Sequence, residues 1–224
     1  MIVVIEGNIG TGKTTFLKNL IKSKHLEETF KGKKIDYIFE PVDQWLNFKD
    51  DEGVNILDRF YNDIEKFAFS FQWLAFMTRI KSIMNSNADI IVVERSVFTD
   101  KNVFVNSLYK SGKITNIEWK IYNEWFNWIL NTFKLQKHLF IYLQADPKIS
   151  MNRIKNRGRE EEKNISFEYL KTLSKNHDEW LINLDNSLTI NYENDFSSKE
   201  TRWEKTLSES SYDNSYLFTS VLFV

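Results

Sequence analysis

Two groups of residues in this sequence are spaced so that they could do chemistry together: a glycine run closed by a lysine, and carboxylates placed where hydrophobic runs stop. Gly7-Asn8-Ile9-Gly10-Thr11-Gly12-Lys13-Thr14 fits the pattern G-x-x-x-x-G-K-[ST]. The glycines allow tight backbone turns, so that N–H groups of Gly7, Asn8, Gly10, Thr11, Gly12, Thr14 and Thr15 can gather around an anion. Lys13 brings a mobile charge for β- and γ-phosphates, and the Thr14 hydroxyl is a ligand for Mg²⁺. The apolar run Ile2-Val3-Val4-Ile5 precedes the glycines and a helical stretch follows, which is the strand–loop–helix context the pattern requires. These residues imply nucleotide binding and are silent about the acceptor.

Three expected strands end in polar residues: Glu6-Gly7, Glu40-Pro41 and Glu94-Arg95-Ser96. In an open parallel sheet ligands bind outside the carboxyl ends of the strands, so Glu40, Glu94 and Arg95 would lie beside the glycine loop. A carboxylate there can accept a proton from an attacking hydroxyl, and an arginine can balance phosphate charge. The Asp of a Walker-B ATPase strand and the Asn-Lys-x-Asp guanine signature are both missing, which argues against motors and switches. Further along, Gln72, Ala75 and Arg79 share one face of an otherwise apolar helix, with Gln72 and Arg79 about 10 Å apart. An amide and a guanidinium flanking a small residue would make a floor for a polar ring.

The elements that must position these residues read as an alternation of short β-branched runs and helices, the pattern of a parallel sheet covered on both faces. Strands are expected over 2–5, 35–39, 90–93, 139–143 and 188–191, and helices over 13–22, 55–84, 99–109, 117–132, 148–156, 166–184 and 198–208. Residues 156–164, charged and almost without apolar anchors, read as a mobile loop. At 224 residues the chain is expected to be one domain, with the main body over 1–196, a lid at 153–164 and a C-terminal helix and tail over 197–224. Thirty basic and thirty-one acidic residues argue against a nucleic-acid binder, and no apolar run is long enough for a membrane helix. Without cysteine there is neither a disulfide framework nor a thiolate metal site. His25, His138 and His177 lie too far apart for ligand spacing and read as ordinary histidines. The immediate start of a strand leaves no room for a targeting peptide, so a reducing, soluble, cytoplasmic setting is expected.

From residue 1 to about 196 the chain resembles the deoxyribonucleoside kinases in the order and spacing of its motifs. Glu40-Pro41-Val42-Asp43-Gln44-Trp45 is similar to their Glu-Pro-Val-x-x-Trp motif, and Glu94-Arg95-Ser96 to their Glu-Arg-Ser segment. Arg153-Ile154-Lys155-Asn156-Arg157-Gly158-Arg159, followed by Glu160-Glu161-Glu162, is similar to their arginine-rich lid. The resemblance implies a three-layer α/β P-loop kinase fold with a five-stranded parallel sheet. It also implies transfer of the γ-phosphoryl of ATP, carried with Mg²⁺, to the 5′-hydroxyl of a deoxyribonucleoside in nucleotide salvage.

By that resemblance Glu40 is the general base with Arg95 beside it, and Glu94 helps hold Mg²⁺, through water. Tyr61 and Glu162 bind the sugar 3′-hydroxyl, and Trp45, Leu57, Phe71 and Phe104 line the nucleoside pocket with Gln72 on the base edge. Arg153 and Arg157 clamp phosphate, with Arg159 a weaker candidate, and Asp195-Phe196 lies against the adenine of the donor. A homodimer packed through helices within 55–84 and 117–132 is implied as well. Arg79 and Asp100 match the branch acting on deoxycytidine and purine deoxynucleosides. A buried Asp100 needs a cationic partner, and an Arg79–Asp100 pair would suit an exocyclic amine and not a thymine. The rivals are a nucleoside monophosphate kinase, which needs extra cations for its acceptor's phosphate, and a non-catalytic ATP-binding module, which has no use for a base and a sugar clamp.

Overall fold

The computed structural model describes residues 1–133, 135 and 138–193. The helix expected over 198–208, the C-terminal tail, Asp195 and Phe196 lie outside those residues. Strand β1 (Ile2–Glu6) leads through the glycine loop into helix α1 (Lys13–Ser23), short α2 (His25–Thr29) and β2 (Ile35–Ile38). Helices α3 (Val42–Asn47), α4 (Ile56–Asn62) and α5 (Ile64–Met84) then lead to β3 (Ile90–Glu94). A nearly continuous helix follows as α6 (Val97–Thr99), a wider π turn over Asp100–Val105 and α7 (Asn106–Lys110). After α8 (Asn116–Thr132) come β4 (His138–Gln144), α9 (Pro147–Arg157), a 3-10 turn at Glu160–Glu162, α10 (Phe167–Leu181) and β5 (Ser187–Asn191).

The five strands form one parallel sheet in the order β2-β3-β1-β4-β5. The connection from β1 runs one way across the sheet, to β2, and the connection from the adjacent β3 runs the other way, to β4. The crevice at the carboxyl ends of β1 and β3 is therefore the switch point where ligands bind in such folds. Alternate residues of the inner strands feed two cores. Val4, Val93 and Tyr142 face the aromatic side with α5 and α8, whereas Val3, Ile5, Val92 and Ile141 face α1, through Phe16, Leu17 and Leu20. Burial on both faces explains why these strands are continuous β-branched runs and not alternating ones. The three-layer α/β architecture is therefore as expected.

Every strand lies within one residue of its expected bounds at each end. The helix expected over 55–84 is two helices. Asp63 ends α4 at φ −144° and caps α5, its side chain accepting from the Lys66 N–H at 3.2 Å. The short helices α2 and α3 were not expected. They carry too few residues to show a period. The segment 156–164 is more ordered than its composition suggests: α9 runs to Arg157, Gly158 ends it at φ +67°, and Glu162 in the following turn is buried. Its anchors are ion pairs in place of apolar side chains. Among the described residues no helix is long and apolar enough to cross a membrane.

Candidate active site

A cleft of about 520 Å³ opens at the carboxyl ends of β1, β2 and β3, running from the glycine loop to the side chains of α5. The loop's shape is set by close approach. A Cβ on Gly10, which sits at φ +79°, would lie 2.5 Å from the Ser150 carbonyl oxygen, so only glycine fits. Gly10, Gly12, Lys13, Thr14 and Thr15 line the cleft. Gly7, Asn8 and Thr11 do not. They brace the loop from behind: Asn8 Nδ2 donates to the Leu170 carbonyl at 2.8 Å and Thr11 Oγ1 to the Asn8 carbonyl at 3.0 Å.

Lys13 is buried and its Nζ donates to the Asn8 carbonyl at 2.7 Å. Burial and the nearby Arg95 pull its ammonium down to about 7, against the opposing pull of Glu40, Glu94 and Glu6. Such a group is poised to regain full charge when phosphate arrives. Beside it the Thr14 hydroxyl donates to Glu94 Oε1 at 2.7 Å. A hydroxyl and a carboxylate converging at the loop are hard oxygen donors of the kind Mg²⁺ takes alongside phosphate oxygens and water, so these residues fit that ion.

Glu40 projects from the turn after β2 between two arginines. Its Oε1 lies 2.6 Å from Arg79 Nη2 and 3.1 Å from Arg95 Nε. Burial alone would raise its carboxyl, but Arg95, Arg79 and Lys13 together outweigh that and hold it at about 2. Arg79 is more heavily engaged than expected. Its Nε also bonds both Asp100 oxygens, at 3.1 and 3.0 Å, so one guanidinium joins Asp100 to Glu40. Burial raises Asp100 to about 6, opposed by Arg79. Three polar atoms of residues lining this cleft are buried without a hydrogen-bond partner among the described residues: Gln72 Oε1, Arg95 Nη1 and Arg95 Nε, the last of which has only its ion pair with Glu40. Buried polar groups are nearly always paired, so each marks a place for a ligand atom.

Trp45, Leu57, Phe71, Ala75 and Phe104 line the same cleft. Trp45 meets Phe71 edge-on at 5.3 Å between ring centres and lies under Arg79 at 5.3 Å, while Arg95 rests over Phe104 at 5.0 Å. Tyr61 is held protonated by burial, with Tyr169 and Glu162 adding to the effect. Glu162 closes the far wall, accepting from Arg157 Nη2 and from Arg159 Nη1 at 3.2 Å. Arg153 stands on the rim, where Nη1 donates to the Thr11 and Tyr192 carbonyls and Nη2 to the Glu193 carbonyl. It therefore ties α9 to the glycine loop and to the chain leaving β5.

Sequence reasoning missed Ile9, Lys18, Val42, Phe60, Tyr169 and Tyr192, which also line the cleft. Lys18 was within reach, since it follows Thr14 by one helical turn on α1. Tyr169 and Tyr192 gave no such signal, because only tertiary packing brings α10 and the end of β5 to the rim. The expected histidines are ordinary. His177 is fully buried, kept neutral by burial and by Arg95, and bonded through Nδ1 to the Leu173 carbonyl at 2.7 Å.

Comparison with known proteins gives concordant matches. The family described as deoxynucleoside kinase matches residues 3–213. A probable deoxycytidine kinase of fowlpox virus is 34% identical over 99% of this chain and 89% of its own length. Human deoxycytidine kinase is 34% identical over 80% of this chain and 75% of its own. Human mitochondrial thymidine kinase 2 is 32% identical over 81% and 64% respectively.

Proposed function

This chain belongs to the deoxynucleoside kinase family and is a kinase, and from that premise we propose that it phosphorylates the 5′-hydroxyl of deoxycytidine or a purine deoxynucleoside in preference to thymidine. One observation carries this reading: Asp100 is paired with Arg79 in the same cleft as the unpartnered Gln72 amide oxygen. A carboxylate and an amide oxygen accept hydrogen bonds, and cytosine and adenine carry exocyclic amines to give them. Thymine would set a carbonyl and a methyl against the charged pair, leaving polar groups poorly satisfied.

The residues divide the work along the cleft. Gln72, Arg79 and Asp100 read the base, the aromatic walls hold its faces, and Tyr61 with Glu162 takes the sugar 3′-hydroxyl. The 5′-hydroxyl then lies at Glu40. Its oxygen forms the new bond to the γ-phosphorus, the bond to the bridging β,γ-oxygen breaks, the hydroxyl proton passes to Glu40 and ADP leaves. A carboxylate held at about 2 is a weak base. It suffices when the proton leaves late, because phosphoryl transfer depends mainly on positioning and charge. Arg95, with Nη1 unsatisfied, and Lys13 meet the charge on the transferring group, and Arg157 joins them when its hold on Glu162 loosens. Thr14 and Glu94 would hold the Mg²⁺ that accompanies ATP, which would neutralise phosphate charge.

The exposed apolar residues Ile117, Ile121, Trp125 and Trp128 of α8, with Met77 and Met84 of α5, support a homodimer packed through these helices. A coupled assay of ADP release tests the main reading, with deoxycytidine, deoxyadenosine, deoxyguanosine, thymidine and their monophosphates as acceptors. The highest kcat/KM is expected with deoxycytidine or a purine deoxynucleoside. A preference for thymidine overturns the base assignment, and turnover of monophosphates alone overturns the acceptor class.

A further inference from the structure

Glu6 ends β1 directly before the glycine loop, is fully buried and does not line the cleft. Its Oε1 is the acceptor for three donors of one turn: the Ser96 N–H at 3.2 Å, the Ser96 hydroxyl at 2.8 Å and the Thr99 hydroxyl. That turn begins with Arg95, at φ +64°. Side chains other than glycine rarely adopt this conformation, and it persists only where surrounding structure enforces it. The enforcement here comes from both sides. Arg95 N–H is pinned to the Ile5 carbonyl at 3.0 Å, and the next residue is pinned to Glu6. The left-handed bend sends the guanidinium over Phe104 and to within 3.1 Å of Glu40.

We infer that Glu6 is a positioning residue for phosphoryl transfer: through Ser96 and Thr99 it holds Arg95 in the backbone conformation that aims its guanidinium into the cleft. The partners of Glu6 are neutral donors. What it supplies is therefore geometry, three hydrogen bonds to one oxygen. Its other oxygen, Oε2, has no hydrogen-bond partner among the described residues. Burial pushes its carboxyl up against the pull of Thr99, Arg95 and Ser96, in keeping with a role that needs no negative charge.

The inference rests on the kinase reading above, and the two fail differently. If the kinase reading is wrong, the wild type releases no ADP with any deoxynucleoside, whereas failure of this inference leaves wild-type turnover intact. The test is a cycle of Glu6→Ala, Arg95→Ala and the double variant, with kcat, nucleoside KM and single-turnover rates measured for each. Glu6→Ala should lower kcat by about 10²-fold, the scale of a small misplacement of a reacting group, with little change in nucleoside KM. Placed on Arg95→Ala it should lower kcat no further, because the group it positions has gone. Glu6→Gln keeps an oxygen for all three donors and should restore most of the rate. A full additional loss in the double variant, a loss seen equally in nucleoside KM, or a Glu6→Gln variant as slow as Glu6→Ala would each overturn the inference. Should Glu6→Ala not fold, Thr99→Val removes one of the three donors from the opposite side. It carries the same expectation, a kcat loss that disappears in the Arg95→Ala background.

Discussion

The two halves of the cleft are built by opposite means. On the side proposed for the donor one unbroken segment, residues 7–14, forms the loop, with Gly7, Asn8 and Thr11 bracing it from behind and its backbone directions fixed by three glycines at positive φ. On the acceptor side the same volume is walled by side chains from α3, α4, α5, the turn after β3 and the turn before α10. Backbone donors recognise phosphate whatever is attached to it. Side chains recognise one ligand, and their charges must also balance one another, as Arg79 does between Asp100 and Glu40. Damage to the donor side should therefore affect all nucleosides alike, and changes on the acceptor side should alter which nucleoside is preferred.

Glu40→Gln gives the largest expected effect and tests where chemistry meets the acceptor wall. Removing the proton acceptor should lower kcat by about 10²–10⁴-fold while nucleoside binding persists. Near-full kcat would sink the assignment of Glu40. Arg157→Ala comes next and probes the seam between the halves, since Arg157 bonds the acceptor wall at Glu162. A kcat loss of about 10²–10³-fold with nucleoside affinity nearly intact places it with phosphate. A loss confined to nucleoside KM would place it with the sugar. Arg79→Met with Asp100→Ala should raise thymidine kcat/KM relative to deoxycytidine by about 10–200-fold, the span one changed pocket contact commands. Arg79→Met alone should harm every substrate, because the buried Asp100 is left without its partner.

The smallest effect belongs to the donor side. Lys13, held near 7 in the free enzyme, should rise when nucleotide phosphates surround it, so ATP binding should take up as much as one proton between about pH 7 and 9. Calorimetry in buffers of different ionisation enthalpy measures this uptake, and its absence would mean that Lys13 is already fully charged. The same depression makes the unfolded chain bind the extra proton in that window, so the ligand-free protein should gain stability as pH rises through it.

The contrast between the halves also decides how much could be read from the sequence. The donor side was legible because its residues are consecutive and its glycines are obligatory. The inner strands β1, β3 and β4 were legible because burial on both faces makes them apolar runs, and the edge strands β2 and β5 as short β-branched stretches between polar ones. The acceptor side gave up Gln72, Ala75 and Arg79, which share a helical face. For Tyr61, Phe104 and Glu162 the expectation came only from a resemblance, since nothing in their local sequence distinguishes them from core or surface residues. The Arg79–Asp100 contact followed from the demand that buried charge be paired, but the second contact of Arg79, to Glu40, did not. It depends on how far the turn after β2 projects, a tertiary distance that no local pattern encodes. The order within 156–164 was misjudged for a related reason: apolar periodicity does not register a segment anchored by Arg157, Arg159 and one buried carboxylate.

The place of β1 in the sheet also bears on how this protein is made. The register sets Ile2 beside Ile91 on one side and beside His138 on the other. A ribosome adding about 5–20 residues per second releases that strand many seconds before either neighbour exists. Until then its apolar residues have no ladder to join, and the glycine loop that follows has no sheet to stand on. Pairings this distant in sequence are slow to form. The most readable motif in the chain is thus synthesised before both strands that flank it and must wait for them before it acquires its shape.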